Sequence, residues 1–448
     1  MPPTRPFRSP GTPGSRRPPI SQPASPHARP PETGVRSVAT ILFQNARIID
    51  GTSAERPDPV DVLVEDDTIR AVGRNLGAGK ARVVELGGRT LMPGLIDAHV
   101  HVIAGTADLG RNAALPDSLV TARAATIMRA MLLRGFTTVR DVGGCDHGLR
   151  LATEEGHFPA PRLVISGKAL SQTGGHCDFR GRFDDRPAAS TGFRLGALGR
   201  LCDGVDEVRR AAREEIKAGA DFIKIMANGG VASPTDPIHF LGFARDEIVA
   251  AVEEAENVGS YVSAHLYTDA AIRRAVECGV HSLEHCNLIR PETARMAAAA
   301  GAVAVPTLVT YDKLASEGAK AGFPADSVAK IDSVRLKGME SLTIMREAGL
   351  PMAYGSDLLG DLHKHQSEEF VIRGRVLPAH EVIATATHVA AKLLRLEGRI
   401  GTIAPGAFAD LIVVDGDPLR DLTLLTGQGR HMPVIMKGGA FVKRGRLD

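Results

Sequence analysis

From about residue 40 the chain falls into short apolar or alternating runs separated by Gly and Asp turns: Ile41–Ile49, Val60–Val72 and Arg82–Leu91. Such runs predict β-strands. Ala409–Val414 and Val434–Lys443 repeat the pattern near the other end, so residues 39–92 and 402–448 are expected to form one composite β-sandwich domain. Between them the rhythm changes to strand–helix alternation. Candidate strands are Leu95–Val102, Thr137–Val142, Leu163–Ser166, Phe222–Met226, Tyr261–His265, Ser282–His285, Val303–Thr307 and Met352–Asp357. Intervening segments carry helical signals. Thr268–Cys278 has Thr at the expected N-cap, Ile272 and Val276 four apart, and Gly279 at its stop. Arg245–Val258 sets Ile248, Val249, Val252 and Ala255 on one face before Gly259. Eight strands alternating with helices predict an α/β fold, a (β/α)8 TIM barrel over residues 93–401. An open doubly wound sheet is the competing architecture.

Residues 1–38 break the pattern. They hold eleven of the 28 prolines, six arginines and a single acid. A segment so poor in apolar surface is expected to be a disordered extension; Arg16-Arg17 is followed by no apolar stretch, so no secretory signal is read there. Over the whole chain the net charge is +2, too small to imply a nucleic-acid partner. No apolar run approaches the roughly 20 residues of a membrane span, so no membrane partner is expected. The five cysteines are odd in number and lack CxxC spacing, which predicts free thiols and a cytoplasmic location.

Chemistry collects at the ends of the candidate strands. Positions i and i+2 of a strand share a face, so His99 and His101 in Asp97-Ala-His-Val-His project together as half of a divalent-metal site. Taken alone, HxH is equally a pair of ordinary strand histidines. His265 closes the fifth strand, His285 the sixth and Asp357 the eighth. Barrel active sites are built from such C-terminal strand ends, and all of these residues are metal-ligand types. Lys224 sits mid-strand in Phe222-Ile-Lys-Ile-Met, where an unpaired ammonium is costly. A lysine that snorkels to water or pairs with an acid is the plainer reading. The chemical reading is a CO2-derived carbamate, an anionic oxygen ligand able to bridge two cations.

Three stretches carry a family resemblance: Met92-Pro-Gly-Leu-Ile-Asp-Ala-His-Val-His, Gly135-Phe-Thr-Thr-Val-Arg-Asp, and Gly401-Thr-Ile-Ala-Pro-Gly-Ala-Phe-Ala-Asp-Leu-Ile-Val-Val-Asp. With them, roughly residues 40–445 resemble the amidohydrolase superfamily in its binuclear-metal form. The resemblance implies that His99, His101 and Asp357 hold one metal, His265 and His285 the other, and carboxylated Lys224 bridges them. Zinc is the first expectation, and Mn, Co or Fe also suit these ligands. Ser171-Gln-Thr-Gly-Gly-His-Cys-Asp, Ala227-Asn-Gly-Gly-Val-Ala-Ser-Pro-Thr-Asp-Pro-Ile and Gly355-Ser-Asp-Leu-Leu-Gly-Asp narrow the likeness. They are similar to the branch of Xaa-Pro dipeptidases, zinc carboxypeptidases and ochratoxin-degrading amidohydrolases. Cys177 departs from it, standing where the branch usually has Gly.

Implied for function is cleavage of an amide or peptide bond beside a free α-carboxylate by a metal-bridging hydroxide. The substrate is a dipeptide, an N-acyl amino acid or an ochratoxin-like molecule. Asp357 is expected to serve as proton acceptor and donor, and the resemblance implies that His176 and Tyr267 anchor the carboxylate. A loop histidine and a packed tyrosine are the plain reading of that last pair. The arginine-rich stretch Asp178–Gly204 is long enough for a lid, with Arg180, Arg182 and Arg186 facing either substrate or solvent. A homo-oligomer is expected by analogy with large barrels of this branch. Two further readings stand beside the first: a cyclic-amide hydrolase or deaminase of the imidazolonepropionase type, which Lys224 disfavours, and a non-catalytic binding barrel, which the complete ligand set disfavours.

Overall fold

A computed structural model describes residues 40–446 apart from 56 and 188–191. The Pro/Arg-rich stretch 1–38 lies outside the described residues. The alternating runs near both ends become strands of one sheet. From the first part of the chain come β1 (Thr40–Ile48), β2 (Val60–Glu65), β3 (Thr68–Gly73), β4 (Arg82–Glu85) and β5 (Thr90–Pro93). The last part adds β15 (Leu411–Val414), β16 (Val434–Lys437) and β17 (Ala440–Arg444). Their order is β17-β16-β15-β5-β1-β2-β3, with β4 also on β1, and β5 and β15 meet antiparallel through Leu91↔Val413. Ile41, Phe43, Val62, Val64, Leu411 and Val413 form a core of their own there.

The intervening strands are β6 (Leu95–Val100), β7 (Phe136–Asp141), β8 (Arg162–Ile165), β9 (Ala169–Ser171), β10 (Gly199–Leu201), β11 (Ile223–Met226), β12 (Val262–Thr268), β13 (Ser282–Leu288) and β14 (Val303–Val305). They pair in parallel as β6-β7-β8 and β10-β9-β11-β12-β13-β14. Two links join the groups. Asp221 N–H donates to Ile165 O at 2.7 Å, tying the start of β11 to β8. The expected eighth strand, Met352–Asp357, forms no regular strand. It bridges β14 at Ala304↔Met352, and Ala98 N–H of β6 donates to Tyr354 O at 2.7 Å. The result is a TIM-barrel-like α/β arrangement. Gly355 permits this last approach: a Cβ there would lie 2.9 Å from His99 Cβ and 2.7 Å from Val305.

The helices follow their sequence signals with one difference. Asp269–Glu277 is capped by Thr268, whose hydroxyl accepts from Ala271 N–H, and it ends before Gly279. In Arg245–Asn257, Ile248, Val252 and Ala255 are buried, but Val249 is 37% exposed. The apolar face is narrower than the side chains alone suggested, because helical residues one apart lie about 100° apart around the axis. No helix among the described residues is long and apolar enough to cross a membrane.

Candidate metal centre and substrate cavity

The strand-end residues converge on one cavity of about 550 Å3, its mouth included, lined by His99, His101, His176, Lys224, His265, Tyr267, His285 and Asp357. His99 Nε2 and His101 Nε2 each lie 3.4 Å from Asp357 Oδ1. Ligand atoms of His99, His285 and Asp357 all lie within 4.8 Å of one another. His265 joins through His285, their ring centres 4.6 Å apart.

The backbone bends to present these groups. His285 has φ of +71°, Cys286 +57° and Asp357 +52°. Non-glycine residues in the left-handed region are costly by about 1–3 kcal/mol each and persist where surrounding contacts hold them. Asp357 N–H donates to His99 O at 2.9 Å, which holds one of them. Ring orientation is also set: His101 Nδ1 meets Gly143 O at 3.0 Å, and His285 Nδ1 meets Thr307 Oγ1 at 2.8 Å. Both contacts direct the opposite ring nitrogen elsewhere.

Charge in the cavity follows from burial and neighbours. Burial pulls His265 and His285 well below the ordinary imidazole range, and neighbouring histidines and Lys224 add to it. Both are therefore neutral, the metal-binding form. Burial alone would raise the Asp357 carboxyl, but His99, His101 and His285 hold it well below the usual carboxylate range. For His101, Asp357 outweighs the lowering by burial and raises it. Lys224 is 1% exposed, and burial draws its amine down to about 8.

These residues fit divalent metals. His265 Nε2 is buried without a hydrogen-bond partner among the described residues, the state of a nitrogen awaiting a ligand. Asp357 brings an anion beside the imidazoles, and lowering the Lys224 amine to about 8 enlarges the share in the neutral form that adds CO2. Cys177 also lines the cavity, but burial pushes its thiol up to about 12, so it stays protonated.

The proposed anchors face the same space. The His176 ring stacks on His265 at 4.1 Å. Its Nδ1 lies 2.7 Å from Ser233 Oγ and 3.4 Å from Asp236 Oδ2. Gly230 makes room for it, since a Cβ there would lie 1.6 Å from the ring. Tyr311 O–H donates to Tyr267 Oη at 3.0 Å, leaving the Tyr267 proton to be given elsewhere. Ser233, Asp236 and Tyr311 went unassigned in the sequence. The only signals were the quoted Ala227–Ile238 stretch for the first two and, for Tyr311, scarcity: the chain has four tyrosines.

Arginines of the Asp178–Gly204 stretch and two histidines beyond Asp357 have partners of their own. Arg180 is held by Asp178 in hydrogen bonds of 2.8 and 2.7 Å, and Arg186 by Asp184. These guanidiniums make contacts within their own loop, and Arg186 faces solvent, one of the two readings expected of it. His363 Nε2 meets Ala104 O at 3.1 Å, and His365 sits between Glu317 and Glu368; neither lines the cavity.

A TIM-barrel-like fold with histidines, an aspartate and a buried lysine gathered at one mouth defines a hydrolase class. A profile of the amidohydrolase family matches residues 90–440, and the chain belongs to that family, a hydrolase of amide or peptide bonds. Ochratoxinase of Aspergillus niger is 31% identical over 368 residues, 79% of this chain and 75% of its own. The crystal structure of an amidohydrolase, 52% identical, matches with a TM-score of 0.89 over 91% of this chain and 99% of that one. A prolidase complexed with N-methylphosphonate-L-proline is 48% identical, with a TM-score of 0.89 over 91% of this chain and all of the prolidase. The family generally binds divalent metals.

Proposed function

We propose that this protein is a binuclear amidohydrolase cleaving the amide bond beside a free α-carboxylate of a small substrate, within a (β/α)8 barrel flanked by a composite β-domain. The observation that carries it is the stacking of His176 on His265 at 4.1 Å, with Tyr267 4.6 Å from the same ring. Carboxylate donors and metal-ligand nitrogens thus face one cavity side by side.

Two divalent metals, zinc first, would be held by His99, His101 and Asp357 and by His265 and His285, with carboxylated Lys224 between, and would supply an activated water and charge to polarise the scissile carbonyl. Asp357, kept ionised, takes the proton of the attacking water and passes it to the leaving amine nitrogen. Tyr267 donates its O–H to the substrate carboxylate because Tyr311 already occupies its oxygen. His176, when protonated, donates from Nε2, since Nδ1 is turned to Ser233 and Asp236. Leu109, Phe179, Leu314 and Phe323 make the rest of the wall apolar. That composition suits the side chains of a dipeptide, an N-acyl amino acid or an ochratoxin-like amide. The ochratoxinase and prolidase likenesses support this substrate class.

The test is amine release by zinc- or manganese-loaded protein from Xaa-Pro dipeptides, N-acyl amino acids and ochratoxin A, each beside its carboxamide. Hydrolysis confined to the free acids is expected. Equal turnover of acids and carboxamides removes the anchor, and turnover of cyclic amides or amino-heterocycles alone moves the chain to the imidazolonepropionase-like reading.

A further inference from the structure

We propose that Glu284 is a positioning residue of the metal centre: it holds the His99 ring with Nε2 toward the cavity, so that the dipeptide Glu284-His285 serves both halves of the site. The inference rests on the metal reading above. Glu284 is wholly buried and does not line the cavity. Its Oε1 accepts from Arg140 at 2.8 Å, Ser263 Oγ at 2.6 Å and Ser282 Oγ at 2.6 Å. That oxygen is saturated. Oε2 lies 2.7 Å from His99 Nδ1. A carboxylate oxygen can only accept, so Nδ1 carries the proton, and the lone pair of the imidazole is left on Nε2, the nitrogen nearest Asp357.

Arg140 secures the arrangement from below. Its guanidinium, itself 0% exposed, donates to Ala98 O at 2.6 Å, to Ser282 Oγ at 3.0 Å and to Glu284. One cation therefore ties both the backbone beside His99 and the carboxylate that turns its ring. Successive strand residues normally point to opposite faces. Here Glu284 reaches inward to His99 on β6, and the left-handed turn at His285, φ +71°, brings the next side chain to the cavity as well. β13 thereby supplies a ligand-type residue for one metal and the orienting anion for a ligand of the other.

The experiment is divalent-metal titration of apo-protein, with zinc in competition against a chelator, for wild type, Glu284→Gln, Glu284→Asp and Ser263→Ala. Gln removes the charge; Asp keeps the charge for Arg140 but withdraws it from His99 by one methylene. Both are expected to weaken metal binding roughly 10- to 100-fold. Ser263→Ala removes a donor from Oε1 and leaves Oε2 with His99, so its change should stay below about threefold while thermal unfolding reports its structural cost. If Gln fails to fold beside an unpaired Arg140, Asp carries the test. Wild-type affinity in the folded Glu284 variants, or an equal loss in Ser263→Ala, overturns the positioning role. Wild-type protein that binds no metal overturns the metal reading and this inference with it.

Discussion

The two walls of the cavity are built by different physics. The wall of candidate ligands is locked by buried charge: Arg140, Glu284 and His99 are joined by contacts of 2.8 and 2.7 Å. The proposed substrate wall is oriented mainly through hydroxyls: Ser233, itself tied to Asp236, turns His176, and Tyr311 orients Tyr267 at 3.0 Å. Buried ionic contacts lose several kcal/mol when one partner is removed, whereas a neutral hydrogen bond contributes about 0.5–1.5 kcal/mol. The ligand wall is therefore built to hold one geometry, and the substrate wall can be altered with graded effects.

The largest effect is expected on the ligand wall. Lys224→Ala should lose bound metal and amide hydrolysis together, activity falling at least about 10²- to 10³-fold; full activity with metal retained breaks the bridging role. A second test uses pH. CO2 adds to a neutral amine, and the folded-state amine of Lys224 is lowered to about 8. The neutral form is thus dominant above about 8 and declines tenfold per unit below it. Reconstitution of apo-protein with metal at a fixed concentration of dissolved CO2 should accelerate about tenfold per unit from pH 6 toward 8 and then level; a pH-independent rate under those conditions breaks the assignment. On the substrate wall, Tyr267→Phe should raise KM for free-acid substrates about 10- to 100-fold, as loss of a hydrogen bond to a charged group, and leave carboxamide analogues unchanged. Equal effects on both remove the anchor. Tyr311→Phe should be the mildest, about 2- to 10-fold in kcat/KM with metal content unchanged. A Tyr311 effect as large as that of Tyr267 would show that the substrate wall is as rigidly coupled as the ligand wall.

Much of the site was legible because its residues violate the local pattern. Lys224 interrupts an apolar strand, and His99, His101, His265, His285 and Asp357 fall near the ends of the expected strands, although β12 and β13 run on to Thr268 and Leu288 and Met352–Asp357 forms no regular strand. Glu284 interrupts its strand in the same way, in Ser282-Leu-Glu-His, and Arg140 does so in Phe136-Thr-Thr-Val-Arg-Asp. Their meaning stayed closed because alternation lets only one of Glu284 and His285 face inward. A left-handed φ at His285 allows both, and no periodicity reports it.

What the amino-acid order determined by itself was the succession of strands and helices and the identity of the ligand-type residues, since both follow from local periodicity and residue chemistry. Only the tertiary structure decided which partner each side chain meets. His99 finds Glu284 185 positions away, and Tyr267 finds Tyr311 44 positions away. Such pairings depend on how distant strands are brought together and on single backbone bends. Those are settled by packing across the whole fold and leave no trace in any short window of sequence.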